Sequence, residues 1–123
     1  MKEKIKQRWI EALRSGKYQK GYRRLRSQEE DREPTYCVLG VLAEISELFY
    51  EPGDDVLPPW IRQWSGVPKC VPIRFDALAQ RNRETYKYNL KLGSDPQVIQ
   101  LHQVNDFSGA SFDEMADLID EYL

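Results

Sequence analysis

Apolar side chains recur at helical spacing along much of this 123-residue chain. Ile5, Trp9, Ala12 and Leu13 form one stripe over residues 2–15 and predict a first helix, with Gly16 placed to close it in a left-handed conformation. Val38, Val41, Leu42, Ile45, Leu48 and Phe49 keep the i, i+3, i+4, i+7 pattern and predict a second helix, the clearest core element, with Thr35 as its N-cap. Gly40 falls inside that stripe. A helix-interior glycine costs about 1 kcal/mol against alanine, so its expected role is to let another backbone come close.

Shorter elements follow. Residues 57–64 read as a brief helix opened by proline, with Trp60 and Trp64 one turn apart and expected as core anchors. Residues 96–104 predict a further helix that opens at Pro96 and buries Val98 and Leu101, and residues 105–110 a turn-rich loop. The last helix begins at Ser111, where Ser-x-x-Glu is the capping-box pattern, and buries Phe112, Met115, Ala116, Ile119, Tyr122 and Leu123.

Period two appears once, at Tyr86, Tyr88, Leu90 and Leu92, and predicts a half-exposed strand over residues 85–92. Phe75, Leu78 and Ala79 suggest a turn or two of helix. Residues 17–27 fit either a strand or an irregular segment, and residues 28–34 a charged loop between two ordered pieces. The expected architecture is α+β, one predominantly helical domain over residues 1–123 with two or three short strands.

Charge changes this picture more than composition does. The formal net charge is only −2, yet residues 1–26 hold ten Lys/Arg against two acids, and residues 106–123 hold six acids with no Lys/Arg. Residues 44–55 add five acids and no base. Such segregation either steers partners or is neutralised internally, with the basic N-terminal segment lying on the acidic last helix. No run of 18 apolar residues and no signal-peptide pattern is present, so neither a membrane span nor secretion is expected. Cys37 and Cys70 are expected as free thiols in a reducing compartment.

Candidate chemistry is sparse. Cys37 lies near the start of the second helix, where the helix dipole favours a thiolate, and His102 with Asn105 or Asp106 completes a Cys-His-Asn/Asp order. Cys37 runs into Val-Leu-Gly-Val-Leu, and packing is the favoured role for it, so no enzyme activity is expected. The cysteines and the histidine have no zinc spacing, and neither a P-loop nor a dinucleotide fingerprint occurs; no metal and no cofactor is expected. The candidate binding surface is the basic segment Lys17, Lys20, Arg23, Arg24 and Arg26 with Tyr18 and Tyr22 interleaved, since arginine offers bidentate phosphate contacts and tyrosine a stacking face. The competing reading pairs these arginines with Glu29, Glu30, Asp31 and Glu33. Asn105 and Asp106 are expected to shape the turn before the last helix, with ligand contact as the alternative.

Two blocks carry a family resemblance. The first runs from Gly16-Lys17-Tyr18-Gln19-Lys20-Gly21 through Arg23-Arg24-Leu25 to Tyr36-Cys37-Val38-Leu39-Gly40-Val41-Leu42; the second is Asn105-Asp106 with 111–119, Ser-Phe-Asp-Glu-Met-Ala-Asp-Leu-Ile. Together they resemble a group of small accessory proteins of tailed bacteriophages and prophages whose function is unknown. The resemblance implies a site of action in the cytoplasm of an infected bacterium. It also implies a non-enzymatic accessory or counter-defence factor, an inhibitor that binds a host protein. The alternatives are a binder of a nucleotide or nucleic acid through residues 17–26, and a cysteine-dependent enzyme.

Overall fold

The computed structural model describes residues 1–69, 72–74, 98–107 and 110–123. Helix α1 (Glu3–Arg14) turns Ile5, Trp9, Ile10 and Leu13 inward, and Gly16 follows it at φ 76°. The chain then forms a minimal three-stranded sheet from β1 (Gln19–Lys20), β2 (Arg26–Ser27) and β3 (Thr35–Tyr36). Its order is β1-β3-β2: β3 is central, parallel to β1 and antiparallel to β2. Residues 28–34 are the exposed connection between β2 and β3, as their charge predicts. Helices α2 (Val38–Ser46) and α3 (Pro59–Ser65) come next, the latter opened by proline and closed by Gly66 at φ 73°. Strands β4 (Pro72–Arg74) and β5 (Val98–Gln100) pair antiparallel, and β5 runs directly into α4 (Leu101–Phe107). Helix α5 (Phe112–Tyr122) ends the fold. The architecture is α+β and predominantly helical, with short strands. No helix among the described residues is long and apolar enough to cross a membrane.

Helix α1 packs most extensively on α5, and α2 lies against α1 as well. Trp9, Val38, Val41, Leu42, Met115, Leu118 and Ile119 are the centre of the resulting core. The buried indole of Trp9 donates from Nε1 to the Val38 carbonyl at 3.0 Å, which fixes α1 against the start of α2. Charge neutralisation accompanies this packing. Arg14 Nη2 lies 2.5 Å from Asp117 Oδ1, and Lys6, itself buried, donates from Nζ to the Asp120 carbonyl. The Arg14 guanidinium is held above its ordinary pKa, first by the hydrogen bond to Asp117. The basic first helix therefore lies on the acidic last one. Ser111 caps α5 as the pattern predicts: its Oγ accepts from Glu114 N–H, and the Glu114 carboxylate accepts from Ser111 N–H.

Several expectations need correction. Helix α2 begins at Val38, and its N-cap is Cys37, whose sulfur accepts from Gly40 N–H at 3.3 Å; Thr35 is committed to the central strand instead. The helix also stops early, at Glu47 in a left-handed conformation (φ 58°), so Leu48 and Phe49 lie outside it and are exposed. Trp60 is not a core anchor: it is 49% exposed, whereas Ile61 takes the buried position and Trp64 packs at the core edge beneath Arg8. The stretch expected as a helix from 96 to 104 is strand at 98–100 and helix only from Leu101, and Asn105 and Asp106 lie on that helix and not in a loop. The strand expected at 85–92, the helical turns at 75–79 and Cys70 lie outside the described residues.

Gly40 behaves as its position predicts. A Cβ there would overlap the carbonyl oxygen of Leu25, because the 21–26 segment crosses α2 in backbone contact. Leu25 is fully buried, and its N–H donates to the Asp54 carbonyl at 2.7 Å, so the segment has no room to retreat. Helix propensity alone favours alanine at position 40 by about 1 kcal/mol. We expect Gly40→Ala to destabilise instead, measured by urea unfolding. Met115→Ala and Leu42→Ala, at fully buried sites, should each cost about 2–5 kcal/mol, whereas Phe49→Ala should stay within about 0.5 kcal/mol of the parent.

Candidate functional site

The basic segment does not form one surface, because the sheet and the α2 crossing distribute its side chains. Tyr18 packs edge-on against Tyr36, ring centroids 5.2 Å apart, at the margin of the core. Lys20 reaches inward and donates from Nζ to the Ala110 carbonyl, and desolvation lowers its pKa. Tyr22 is exposed, with Lys20 Nζ 5.0 Å from its ring centroid. Lys17 is exposed beside the end of α1. Arg24 and Arg26 line a groove with Gln28, Glu29 and Pro52, and Arg26 Nη2 donates to Gln28 Oε1. Arg23, which is exposed, instead borders a cavity among the described residues. Among the acids offered as partners to these arginines, Glu29 pairs with Arg32 and Glu33 accepts from Gln19.

Asn105 and Asp106 explain how Arg23 is placed. Asn105 is fully buried. Its Oδ1 accepts from Val38 N–H at 3.0 Å, and its Nδ2 donates to the Gly21 carbonyl at 3.1 Å and to Asp106 Oδ1 at 2.9 Å. Asp106 Oδ1 also accepts from the backbone N–H of Arg23 at 2.8 Å. Arg23 has φ 68°, the left-handed region that is costly for a side chain of this size. The carboxylate of Asp106 compensates by holding that N–H. These residues therefore act on distant backbone and not on the turn before α5, as their sequence neighbourhood suggested.

The cavity has a volume of about 780 Å³. Cys37, Leu57 and Leu101 form a buried floor, and Leu39 and Val56 continue the apolar wall. Charged and polar groups rim it: Arg23, Arg62, Lys69, His102, Asp55 and Asp106. Arg62 Nε is inaccessible to solvent and has no hydrogen-bond partner among the described residues. The sequence indicated Arg23, Cys37, His102 and Asp106 as candidates but gave no reason to join them to Asp55, Arg62 or Lys69, which only chain crossing brings near.

Cys37 and His102 thus share a cavity, but the thiol is poorly placed for nucleophilic work. Two effects compete at Cys37. The N–H groups at the start of α2 favour a thiolate, while burial penalises it; burial wins and pushes the pKa up to about 11. The thiol is free and buried, its sulfur serving as the N-cap acceptor.

A second feature lies beside the cavity mouth. Five large apolar or aromatic side chains are exposed among the described residues, and four of them, Leu48, Phe49, Val56 and Trp60, lie between positions 48 and 60. Trp60 Nε1 donates to the Phe49 carbonyl at 2.7 Å, which ties the indole to the backbone at Phe49. The same stretch carries Glu47, Glu51, Asp54 and Asp55, all exposed.

Removing the Asn105 side chain strands a buried N–H on Val38 and a buried carbonyl on Gly21, each costing about 1–3 kcal/mol. We expect Asn105→Ala to lose about 2–6 kcal/mol, the sum of two such penalties, in chemical denaturation. The raised thiol pKa has its own signature. The unfolded thiol ionises at its ordinary 9.0, so the stability linked to Cys37 is complete below that pH and is lost as pH rises through about 11. At neutral pH, iodoacetamide should label Cys37 far more slowly in the folded protein than in urea; fast labelling of the folded form, read by peptide mass spectrometry, would reveal an accessible thiolate.

No curated protein and no solved structure matches this chain. The family model described as a domain of unknown function, DUF8296, matches residues 1–123, and the chain belongs to that family.

Proposed function

We propose that this protein is a non-enzymatic binding protein that engages a basic surface of a partner protein through the exposed stretch 48–60. The observation that carries this reading is the concentration there of Leu48, Phe49, Val56 and Trp60, four of the five exposed large apolar or aromatic side chains among the described residues. Exposed apolar side chains clustered within a polar rim are a signature of protein interaction sites. Tryptophan and phenylalanine are also the kind of anchors on which binding energy concentrates. The surrounding acids select the partner's sign. Glu47, Glu51, Asp54 and Asp55 are exposed in the same part of the chain, with no lysine or arginine between positions 44 and 55. Complementarity of this kind favours a basic partner and speeds association with it.

The two-block resemblance to phage accessory proteins supports placing that partner in the host bacterium. In this reading the protein inhibits or diverts a piece of host machinery or host defence by occupying its surface. The raised thiol pKa of Cys37 argues against the cysteine-dependent enzyme as the alternative.

The test is capture of partners from a bacterial lysate by the tagged protein, in parallel with a Phe49→Asp, Trp60→Ala double variant and an Arg23→Ala, Arg24→Ala double variant. A partner should be retained by the parent and by the arginine variant, lost by the aromatic variant, and bound more slowly as salt is raised. Unchanged capture by the aromatic variant, or loss confined to the arginine variant, would reject the assignment. Both variants should unfold as the parent does, because the substituted side chains lie outside the core.

A further inference from the structure

We infer that the exposed ring of Trp60 is the seat for an arginine side chain of the partner, stacked on the indole and ion-paired to the acids that flank Phe49. This rests on the partner-binding reading above and names the group that such a partner must present. Helix α3 carries two tryptophans one turn apart, so both emerge on the same side of it. Trp64 packs at the core edge, and the guanidinium of Arg8 lies 5.9 Å from its ring centroid. Arg8 is held there by donating from Nη2 to the Ile45 carbonyl at 3.1 Å. Trp60 is the counterpart with no cation over its ring among the described residues, and 49% of it is exposed.

The indole is already oriented. Its one polar atom, Nε1, donates to the Phe49 carbonyl at 2.7 Å, so the ring has no donor left to offer a partner. What it can still offer is aromatic surface, whose negative face attracts cations. A neutral apolar group would cover that surface as well, and the acids decide between the two. Glu47 and Glu51 stand two residues to either side of Phe49, whose carbonyl holds the indole, and both are exposed. Among the described residues neither has an ion-pair partner, whereas Asp113, Asp117 and Asp120 of α5 are answered by Arg14 and Lys6. Residues 44–55 contain no base of their own to take the seat. Arginine fits it better than lysine. A planar guanidinium stacks flat on an indole and still presents edge donors to a carboxylate, while an ammonium is a strongly hydrated point charge.

The seat asks more of Trp60 than partner binding by apolar contact does. Apolar contact needs buried hydrocarbon at position 60, which leucine also supplies. A guanidinium needs a π face, which leucine lacks. Trp60→Leu therefore separates the two.

NMR titration of the full chain tests it, with three capped peptides in which glycine alternates with arginine, with lysine, or with citrulline, the uncharged isostere of arginine. The signal read is the ¹H–¹⁵N resonance of Trp60 Nε1–H, identified by its absence in Trp60→Leu. The arginine peptide should shift it saturably, together with the amides of Phe49 and Glu51. The lysine peptide should bind at least about threefold more weakly, and the citrulline peptide at least about tenfold. Trp60→Leu, and separately the double variant Glu47→Gln, Glu51→Gln, should each weaken the arginine peptide about fivefold or more. The substituted side chains are exposed, and the shift map of the parent keeps the test decisive if a variant fails to fold. Binding of the lysine peptide within about threefold of the arginine peptide, equal binding of the citrulline peptide, unchanged affinity in Trp60→Leu, or shifts confined to α5 would each overturn the inference. A lysate partner retained by Trp60→Leu but lost by Phe49→Asp, Trp60→Ala would overturn the arginine seat and leave the partner-binding reading standing. Retention by both variants would remove that reading and the seat with it.

Discussion

The buried amide of Asn105 is the contact on which the arrangement of this protein turns. It answers the Val38 N–H at the start of α2 and the Gly21 carbonyl next to the sheet, and it steadies Asp106, which in turn holds Arg23. An amide in that position has one acceptor and two donors to place, and Val38, Gly21 and Asp106 meet all three. An aliphatic residue of similar size would leave buried backbone groups unpaired, which hydrophobic contact does not offset. The helix α4 that carries Asn105 is therefore fixed in rotation, and with it the face that turns Leu101 inward and His102 to the cavity rim.

A second constraint works alongside it. The segment from Gly21 to Arg26 must cross α2 in backbone contact, which only Gly40 permits. Gly21 is similarly restricted, because a Cβ there would lie 2.6 Å from Thr35 Oγ1. These close approaches compress the minimal sheet against α2 and leave Arg23 at the outside of the bend. The hydrogen bonds from Leu25 and Arg26 to the carbonyls of Asp54 and Pro52 then draw the acidic 50–55 stretch to the same side. The cavity and the exposed apolar stretch thus lie next to one another for a structural reason: both border the segment that these bonds anchor.

Charge in this chain has two destinations. Lys6 and Arg14 of the basic N-terminal region are used up against α5, and Lys20 by the Ala110 carbonyl. The acids of 44–55 remain largely at the surface, with Glu44 accepting from the Tyr50 hydroxyl. That bond and burial together raise the Tyr50 pKa, burial being the larger cause. The near-zero net charge therefore conceals an acidic face that is available and a basic face that is partly spent.

Elements with strong local signals are legible from the order of residues alone. Helix α1 follows from its apolar stripe, α5 from its stripe and capping box, and the close approach at Gly40 from a glycine placed where propensity opposes it. Those features depend on neighbours a few residues away, so periodicity and capping chemistry reveal them. Other features depend on contacts between distant parts of the chain. The apolar spacing at Leu48 and Phe49 continues the helical pattern, yet the backbone turns left-handed at Glu47 and exposes them. Asn105 looked like a turn residue because its side chain commonly bonds local backbone, but its partners lie 67 and 84 residues away. The basic segment looked continuous because charge is counted along the chain. Once the strands form, Tyr18 and Lys20 turn inward, Arg24 and Arg26 line one groove, and Arg23 joins Arg62 and His102 around a cavity. Spacing within a segment does not encode which distant backbone groups and side chains will converge, and in this protein the cavity is made of such convergence.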